Sequence, residues 1–363
     1  MATRRRAPRE RPAPAPLPIA LLLGAIIAAV VVWEADHLAR QEPQTLPAVQ
    51  AMATSSPEPE AIAAAPTAAA TEPAPASSSS SSTGPMPASA PLPAPSPTPQ
   101  LRSFVEQGAL LPSHRILTFY GHPHDPNMGI VGEYEKEELL PLLLAEAANY
   151  EAADPTRPVI PAFEVIATVA QRDPGEDGDY LLETDMDTIV EYANFAEANG
   201  ALLFLDLQIG RSTVEAEVAK VRDILRRPYV HLAIDPEFAI RPGETPGIHI
   251  GEVTAEQILI AQQALAQIVR EEGIPPKILI VHQFREDMII GKSRIATVPG
   301  VQVVIDADGY GSPKLKTDSY AFLIREEPVG FPGFKLFYRQ DEPLMSARDV
   351  LALDPPPVLI IYQ

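Results

Sequence analysis

The 363-residue chain contains no cysteine. That removes disulfides, thiolate zinc sites, cysteine nucleophiles and a lipid-modified cysteine together. Basic residues are also scarce, 28 Lys+Arg against 48 Asp+Glu. A nucleic-acid partner is therefore excluded, because phosphate neutralisation needs a clustered Lys/Arg surface. Aromatic residues make up only 6%. Neither G-x-G-x-x-G nor G-x-x-x-x-G-K-[ST] occurs after any candidate strand, which argues against a nucleotide-binding open sheet. A G-x-S-x-G elbow is lacking too, and Ser212 reads as a helix cap, so serine hydrolysis is not expected.

What is abundant is proline, 41 residues unevenly placed. Residues 1–16 form a basic tail with Arg4, Arg5, Arg6, Arg9 and Arg11. From Leu17 to Trp33 no charge occurs. These seventeen residues, at about 1.5 Å each, just reach the lower limit for crossing a bilayer core of roughly 30 Å. The basic flank predicts a cytoplasmic N-terminus, and the exit through Trp33-Glu34-Ala35-Asp36-His37 lacks the small-residue cleavage pattern of a signal peptide. The reading is an uncleaved membrane anchor with the remainder extracytoplasmic, or secreted if the segment is cleaved. Residues 34–100 then form a stalk: positions 41–100 hold 14 Pro, the run Ser77 to Ser82 and no Lys or Arg. Such a composition is expected to stay disordered, since it cannot bury enough apolar surface to offset chain entropy.

Residues 101–363 carry the chemistry. The first hundred residues hold six arginines and seven acids, so nearly all of the net charge of −20 belongs to this domain. Short β-rich runs alternate with helical patterns. The candidate strands are Ile116–Tyr120, Val159–Phe163, Leu202–Leu207, Val230–Ile234, Ile278–Val281, Val301–Ile305, Phe334–Tyr338 and Val358–Tyr362. Helix starts are marked by Ser212 with Glu215, Thr254 with Gln257, and Ser346 with Asp349. Asn199-Gly200 ends a helix that begins near Asp185. Eight strands with intervening helices predict an α/β fold of the (β/α)8 TIM-barrel type, with a doubly wound sheet as the alternative.

Strand parity adds a functional argument. Strand three places Leu203, Leu205 and Leu207 on one face and Phe204, Asp206 and Gln208 on the other. Strand four opposes Val230, Leu232 and Ile234 to His231, Ala233, Asp235 and Glu237. Strand six opposes Val301, Val303 and Ile305 to Val304, Asp306 and Asp308. Strand one gives Thr118, Tyr120 and His122, strand two Ala162 and Glu164, and strand five Ile280 and His282. The second face turns polar only near the C-terminal strand ends, where a barrel enzyme keeps its active site.

Asp235-Pro236-Glu237 is the sharpest motif, since an i, i+2 pair at a strand end puts both carboxyls on one side within about 7 Å. Two carboxyls that close tend to part in pKa, leaving one protonated. The segment resembles the D-x-E that ends strand four in chitinase-like and lysozyme-like barrel glycoside hydrolases. That resemblance implies Glu237 as the acid that protonates a glycosidic oxygen and Asp235 as its partner, although Leu232, Ala233 and Ile234 replace the longer acidic run of the chitinases. Asp206 and Glu164 complete the catalytic candidates as base or orienting group. His122, Gln208, Arg211, His282, Asp306, Asp308 and Tyr338 are the substrate-binding candidates.

Tyr120-Gly121-His122-Pro123-His124 resembles the H-x-H of amidohydrolase barrels, which implies a divalent metal held by His122, His124, His282 and Asp306, with Glu237 bridging. The alternative is a loop that buries its imidazoles in hydrogen bonds. Arg211 is expected to pair with nearby acids or to clamp a carboxylate or phosphate. Asp306-Ala307-Asp308-Gly309 lacks the spacing and distal Glu of an EF-hand. The leading expectation is a membrane-anchored hydrolase acting without cofactor on a glycosidic bond of a cell-wall or surface polysaccharide. A metal-dependent hydrolase and a non-catalytic barrel that binds glycan or protein are the alternatives.

Overall fold

The computed structural model describes residues 108–363. The basic tail 1–16, the anchor 17–33 and the stalk 34–100 fall outside the described residues. Among the described residues, no helix is long and apolar enough to cross a membrane.

Eight parallel strands close into a barrel. They are β1 (Arg115–Gly121), β2 (Val159–Ala170), β3 (Leu202–Gly210), β4 (Val230–Ala239), β5 (Lys277–Gln283), β6 (Val301–Ala307), β7 (Phe331–Leu336) and β8 (Leu359–Tyr362). Each pairs with its sequence neighbour, and β8 returns to β1 through Ile116↔Leu359 and Thr118↔Ile361. Each of the eight candidate runs became a strand. Three run well past their expected ends: β2 to Ala170, β3 to Gly210 and β4 through Pro236 to Ala239. Register shifts between Ile166 and Thr168 and between Gln208 and Gly210 mark where bulges absorb that extra length. One short strand, Leu181–Glu183, folds back antiparallel onto β2.

The helices are α1 (Lys136–Ala153), α2 (Met186–Ala198), α3 (Val214–Lys220), α4 (Ala255–Glu272), α5 (Pro313–Tyr320) and α6 (Ala347–Leu351). The β5–β6 connection carries two 3-10 turns in place of an α-helix. Thr254 with Gln257 and Ser346 with Asp349 form capping boxes, and Gly200 takes φ 67° after α2. The cap of α3 moves by one residue from the expected Ser212 to Thr213, whose hydroxyl accepts from the Ala216 N–H at 3.1 Å. Ser212 is used otherwise, because its N–H closes a turn on Ile209 O just after β3.

Parity divides the core into two shells. Leu203, Leu205 and Leu207 are fully buried on the outer face of β3. Each contributes roughly 1.5–3 kcal/mol of transfer free energy. The inward shell is mostly apolar at the N-terminal end, with His231 and Thr118 as buried polar members, and is plugged there by Gln302, whose side chain accepts from Leu111 N and donates to Leu111 O. Toward the C-terminal end the inward shell becomes ionic.

Candidate functional site

The ionic layer is built by alternation along neighbouring strands. Tyr120 on β1, Glu164 on β2, Asp206 on β3, Asp235 and Glu237 on β4, His282 on β5, Asp306 on β6 and Lys335 on β7 contribute side chains, with Asp308 just after β6. His282 lies at the centre. Its Nε2 is 3.0 Å from Glu164 Oε1 and its Nδ1 3.0 Å from Asp306 Oδ2. Because β2 and β5 stand three strands apart in the ring, the Glu164–His282 contact crosses the barrel interior. Asp308 Oδ2 lies 3.3 Å from Nδ1, and Asp206 Oδ1 lies 3.9 Å from Nε2. Tyr120 Oη donates to Asp206 Oδ2 at 3.0 Å. Lys335 Nζ donates to Asp308 Oδ2 at 3.0 Å and sits 3.8 Å from the centre of the Tyr120 ring. The Glu237 N–H donates to Asp235 Oδ1 at 3.1 Å.

Six carboxyls thus face one imidazole and one ammonium, nearly all buried. Burial opposes a charge on His282, yet its contacts with Asp306, Asp308 and Glu164 prevail and raise its pKa well above the usual imidazole range. Both ring nitrogens then act as donors. Burial pushes Asp206 up to about 6, with Glu164 adding repulsion. Burial also lifts Asp235 to about 7, helped by Asp206 and Asp308. Glu237 is raised well above the carboxylate range by burial, Asp235 and Asp308. Asp308 runs the other way. Burial would lift it, but Lys335 and His282 hold it below the normal value. Four carboxylate oxygens in this layer are buried without a hydrogen-bond partner: Glu164 Oε2, Asp206 Oδ1, Glu237 Oε1 and Asp306 Oδ1. Two sets, Glu164–Asp206–His282 and His282–Asp306–Asp308, each bring one ligand atom per residue within 4.8 Å of the others, a spacing suited to a metal ion.

The four catalytic candidates Glu237, Asp235, Asp206 and Glu164 all lie in this layer, as do His282, Asp306 and Asp308. The remaining candidates do not join it. His122, a substrate-binding candidate, and His124, which only the alternative metal reading joined to His282, lie beyond the end of β1, near the start of α2. Thr184 Oγ1 spends its proton on Ile166 O at 2.7 Å, so His122 Nε2 donates to that hydroxyl at 3.1 Å. His122 Nδ1 accepts from the His124 N–H at 3.2 Å. Both His122 nitrogens are therefore used, and no lone pair remains for a cation. His124 Nε2 lies 3.1 Å from Thr188 Oγ1 and 3.5 Å from Asp185 Oδ2. These imidazoles satisfy a loop rather than a metal.

Gln208 accepts from the Ala170 N–H at 2.7 Å and so stitches the β2–β3 bulge. Arg211, expected to pair with acids, stacks 4.4 Å over the Tyr180 ring and donates to Glu244 O at 2.8 Å, tying two loops together. Tyr338 falls after the end of β7 and stacks on Tyr362 with ring centres 5.0 Å apart, beside Phe119. Phe119 has the outward parity of β1, so Tyr338 belongs to the outer shell.

Two members of the layer carried no role in the sequence reading. Tyr120 stood on the polar face of strand one without an assignment. Lys335 had a visible mark, a single charge between the outward-facing Phe334 and Leu336.

No protein-family model matches the chain, and no curated protein matches it. The described residues form an eight-stranded parallel α/β barrel. Solved structures similar to it include an oxaloacetate acetylhydrolase in complex with the product oxalate, at 11% identity and TM-score 0.35, covering 55% of this chain and 67% of that one. Another is the YdhT protein from Bacillus subtilis, at 12% identity and TM-score 0.35, covering 74% of this chain and 87% of that one. At this distance neither neighbour informs the chemistry of the site.

Proposed function

We propose that the protein is a barrel hydrolase that cleaves a glycosidic bond of a cell-wall or surface polysaccharide, with Glu237 as the proton donor. The observation that carries this reading is the position of Glu237. It is, with Asp308, one of two partly exposed members of a buried acidic layer, and it stands at the C-terminal end of β4 with Oε1 unpartnered. Desolvation and the neighbouring Asp235 and Asp308 make it hold its proton more tightly than an ordinary carboxyl. Two neighbouring carboxyls, one protonated and one ionised, are what glycosidic cleavage uses, and Asp235, lifted to about 7, ionises only as the pH passes neutral. Asp235, fixed by the Glu237 N–H, is the partner that orients the substrate or activates water. Asp206 and Glu164 are buried beneath them and act as electrostatic support. On this reading the apolar run 17–33 anchors the enzyme, and the stalk presents the barrel on the outer side of the membrane.

The test is release of reducing ends from a panel of cell-wall and surface polysaccharides by the wild type and Glu237→Gln. Glutamine keeps the shape and loses the transferable proton. Turnover falls by about 10²-fold or more, the usual worth of positioned acid catalysis, with no loss of thermal stability. Unchanged turnover in Glu237→Gln, or glycan binding by the wild type without any turnover, would overturn the proposal.

A further inference from the structure

His282 offers two faces, and they are not equivalent. On the Nδ1 side, Asp306 Oδ2 lies at 3.0 Å and Asp308 Oδ2 at 3.3 Å, and Lys335 Nζ already neutralises Asp308 at 3.0 Å. On the Nε2 side stand Glu164 Oε1 at 3.0 Å and Asp206 Oδ1 at 3.9 Å, and no Lys or Arg ion pair reaches either carboxylate among the described residues. Glu164 and Asp206 are fully buried, and each keeps one oxygen without a hydrogen-bond partner, Oε2 and Oδ1. Two fully buried carboxylates that face one imidazole nitrogen through Glu164 Oε1 and Asp206 Oδ1, and that each keep an oxygen without a hydrogen bond, call for a positive ligand.

We infer that Glu164, Asp206 and His282 Nε2 bind one small divalent cation of the Mn²⁺ or Zn²⁺ class, the ion displacing to solvent the Nε2 proton that Glu164 Oε1 otherwise accepts. The spacing fits. Around an ion with bonds of about 2.1 Å, adjacent donors stand about 3 Å apart and opposite donors about 4 Å, close to the 3.0 and 3.9 Å found here. The surroundings fit as well. A ligating imidazole characteristically donates its other N–H to a carboxylate, and ligating carboxylates are themselves hydrogen-bonded. Asp306 takes the Nδ1 proton at 3.0 Å, and the Tyr120 hydroxyl holds Asp206 Oδ2 at 3.0 Å, leaving Oδ1 for the ion. Two carboxylates with one imidazole favour a borderline cation over Ca²⁺, which takes six to eight oxygen ligands. This ligand set excludes His122 and His124 and does not depend on Glu237 being the proton donor.

The experiment uses the full-length protein, stripped with a chelator and titrated separately with Mn²⁺, Zn²⁺ and Ca²⁺ by calorimetry, with melting curves in parallel. One equivalent of Mn²⁺ or Zn²⁺ binds per chain and raises the Tm, while Ca²⁺ binds at least tenfold more weakly. Glu164→Gln and Asp206→Asn each lower the affinity by tenfold or more. Asp306→Asn, which only orients the imidazole, lowers it by about 10–100-fold. Glu237→Gln leaves it unchanged, which separates this test from that of the proton donor. A protein that unfolds on stripping and refolds on adding Mn²⁺ supports the inference equally. No saturable binding of Mn²⁺ or Zn²⁺ to the wild type would overturn it. So would binding that survives Glu164→Gln and Asp206→Asn undiminished, or that is lost in Glu237→Gln.

Discussion

Replacing Asp235 by Asn tests the electrostatics of the acidic layer directly. Asp235 is almost fully buried, and its pKa is lifted from 3.8 to about 7 by burial, then by Asp206 and Asp308. A carboxyl whose folded pKa exceeds its unfolded one binds its proton more tightly when folded. Its stabilising contribution is therefore complete below about pH 4 and is lost as the pH rises to about 7. At about 1.4 kcal/mol per tenfold change in proton affinity, the loss reaches about 4 kcal/mol by pH 8. Asn cannot ionise, and it retains the oxygen that accepts the Glu237 N–H. The two proteins differ by only about 1 kcal/mol near pH 4.5, and the variant melts clearly higher at pH 8. For a domain of this size, with roughly 2–4 °C per kcal/mol, the gap is on the order of 10 °C. Calorimetric scans of both proteins from pH 4.5 to 8.5, with chelator present, measure it. Melting curves that stay parallel across this range would show that Asp235 ionises in the folded barrel without penalty, and the electrostatic account of the layer would be wrong.

Lys335→Met removes the ammonium that holds Asp308 and covers Tyr120, leaving a buried carboxylate with His282 as its remaining cationic neighbour. Stability falls by roughly 3–5 kcal/mol at neutral pH. The deficit shrinks below about pH 4, because the depressed pKa of Asp308 contributes stability only above its unfolded value; chemical denaturation at pH 3.5 and 7 checks both statements. Gly129→Ala, at φ 114°, drives a Cβ into Tyr120 O, whereas Gly243→Ala, at φ 94°, meets nothing within 4 Å. The first substitution costs more than about 3 kcal/mol and the second about 1 kcal/mol, as denaturant midpoints will show.

Much of the barrel was legible because its signals are local. Alternation of β-branched and leucine residues marks a strand wherever it occurs, and Thr254 or Ser346 announces its helix within four residues. The acidic layer was legible for the same reason, since Asp206, Asp235 and Asp306 share a parity that can be counted along each strand. What the sequence left open needed contacts made elsewhere in the chain. His122 and His124 look like metal ligands until Thr184 and Thr188, about sixty residues on, supply their partners. Tyr338 looked like a strand-end residue only because β7 was extended two residues beyond Leu336. Arg211 carried a charge that invited an ion pair, but Tyr180 and a backbone carbonyl hold it instead. Lys335 was a readable mark left unread, one basic residue of inward parity in a strand whose outward neighbours are both apolar.

The arrangement of charges also explains why the site lies where it does. A closed parallel barrel aligns residues of equal parity from neighbouring strands, as in His282↔Asp306 and Gly333↔Asp306. Each strand therefore delivers its inward residue to a common layer without any loop having to place it. Nearer the N-terminal ends that layer is filled by Ala162, Phe204, Ala233, Ile280 and Val304, which are fully buried. A single step of two residues toward the C-terminal end replaces four of these five with Glu164, Asp206, Asp235 and Asp306, and the remaining one, Ile280, with His282. A one-residue slip in any strand would turn its acid outward into the helix-covered shell. The apolar outer residues that fix strand register thus also hold the acids at their positions. The rigidity of the site is set by packing on the opposite face of the same strands.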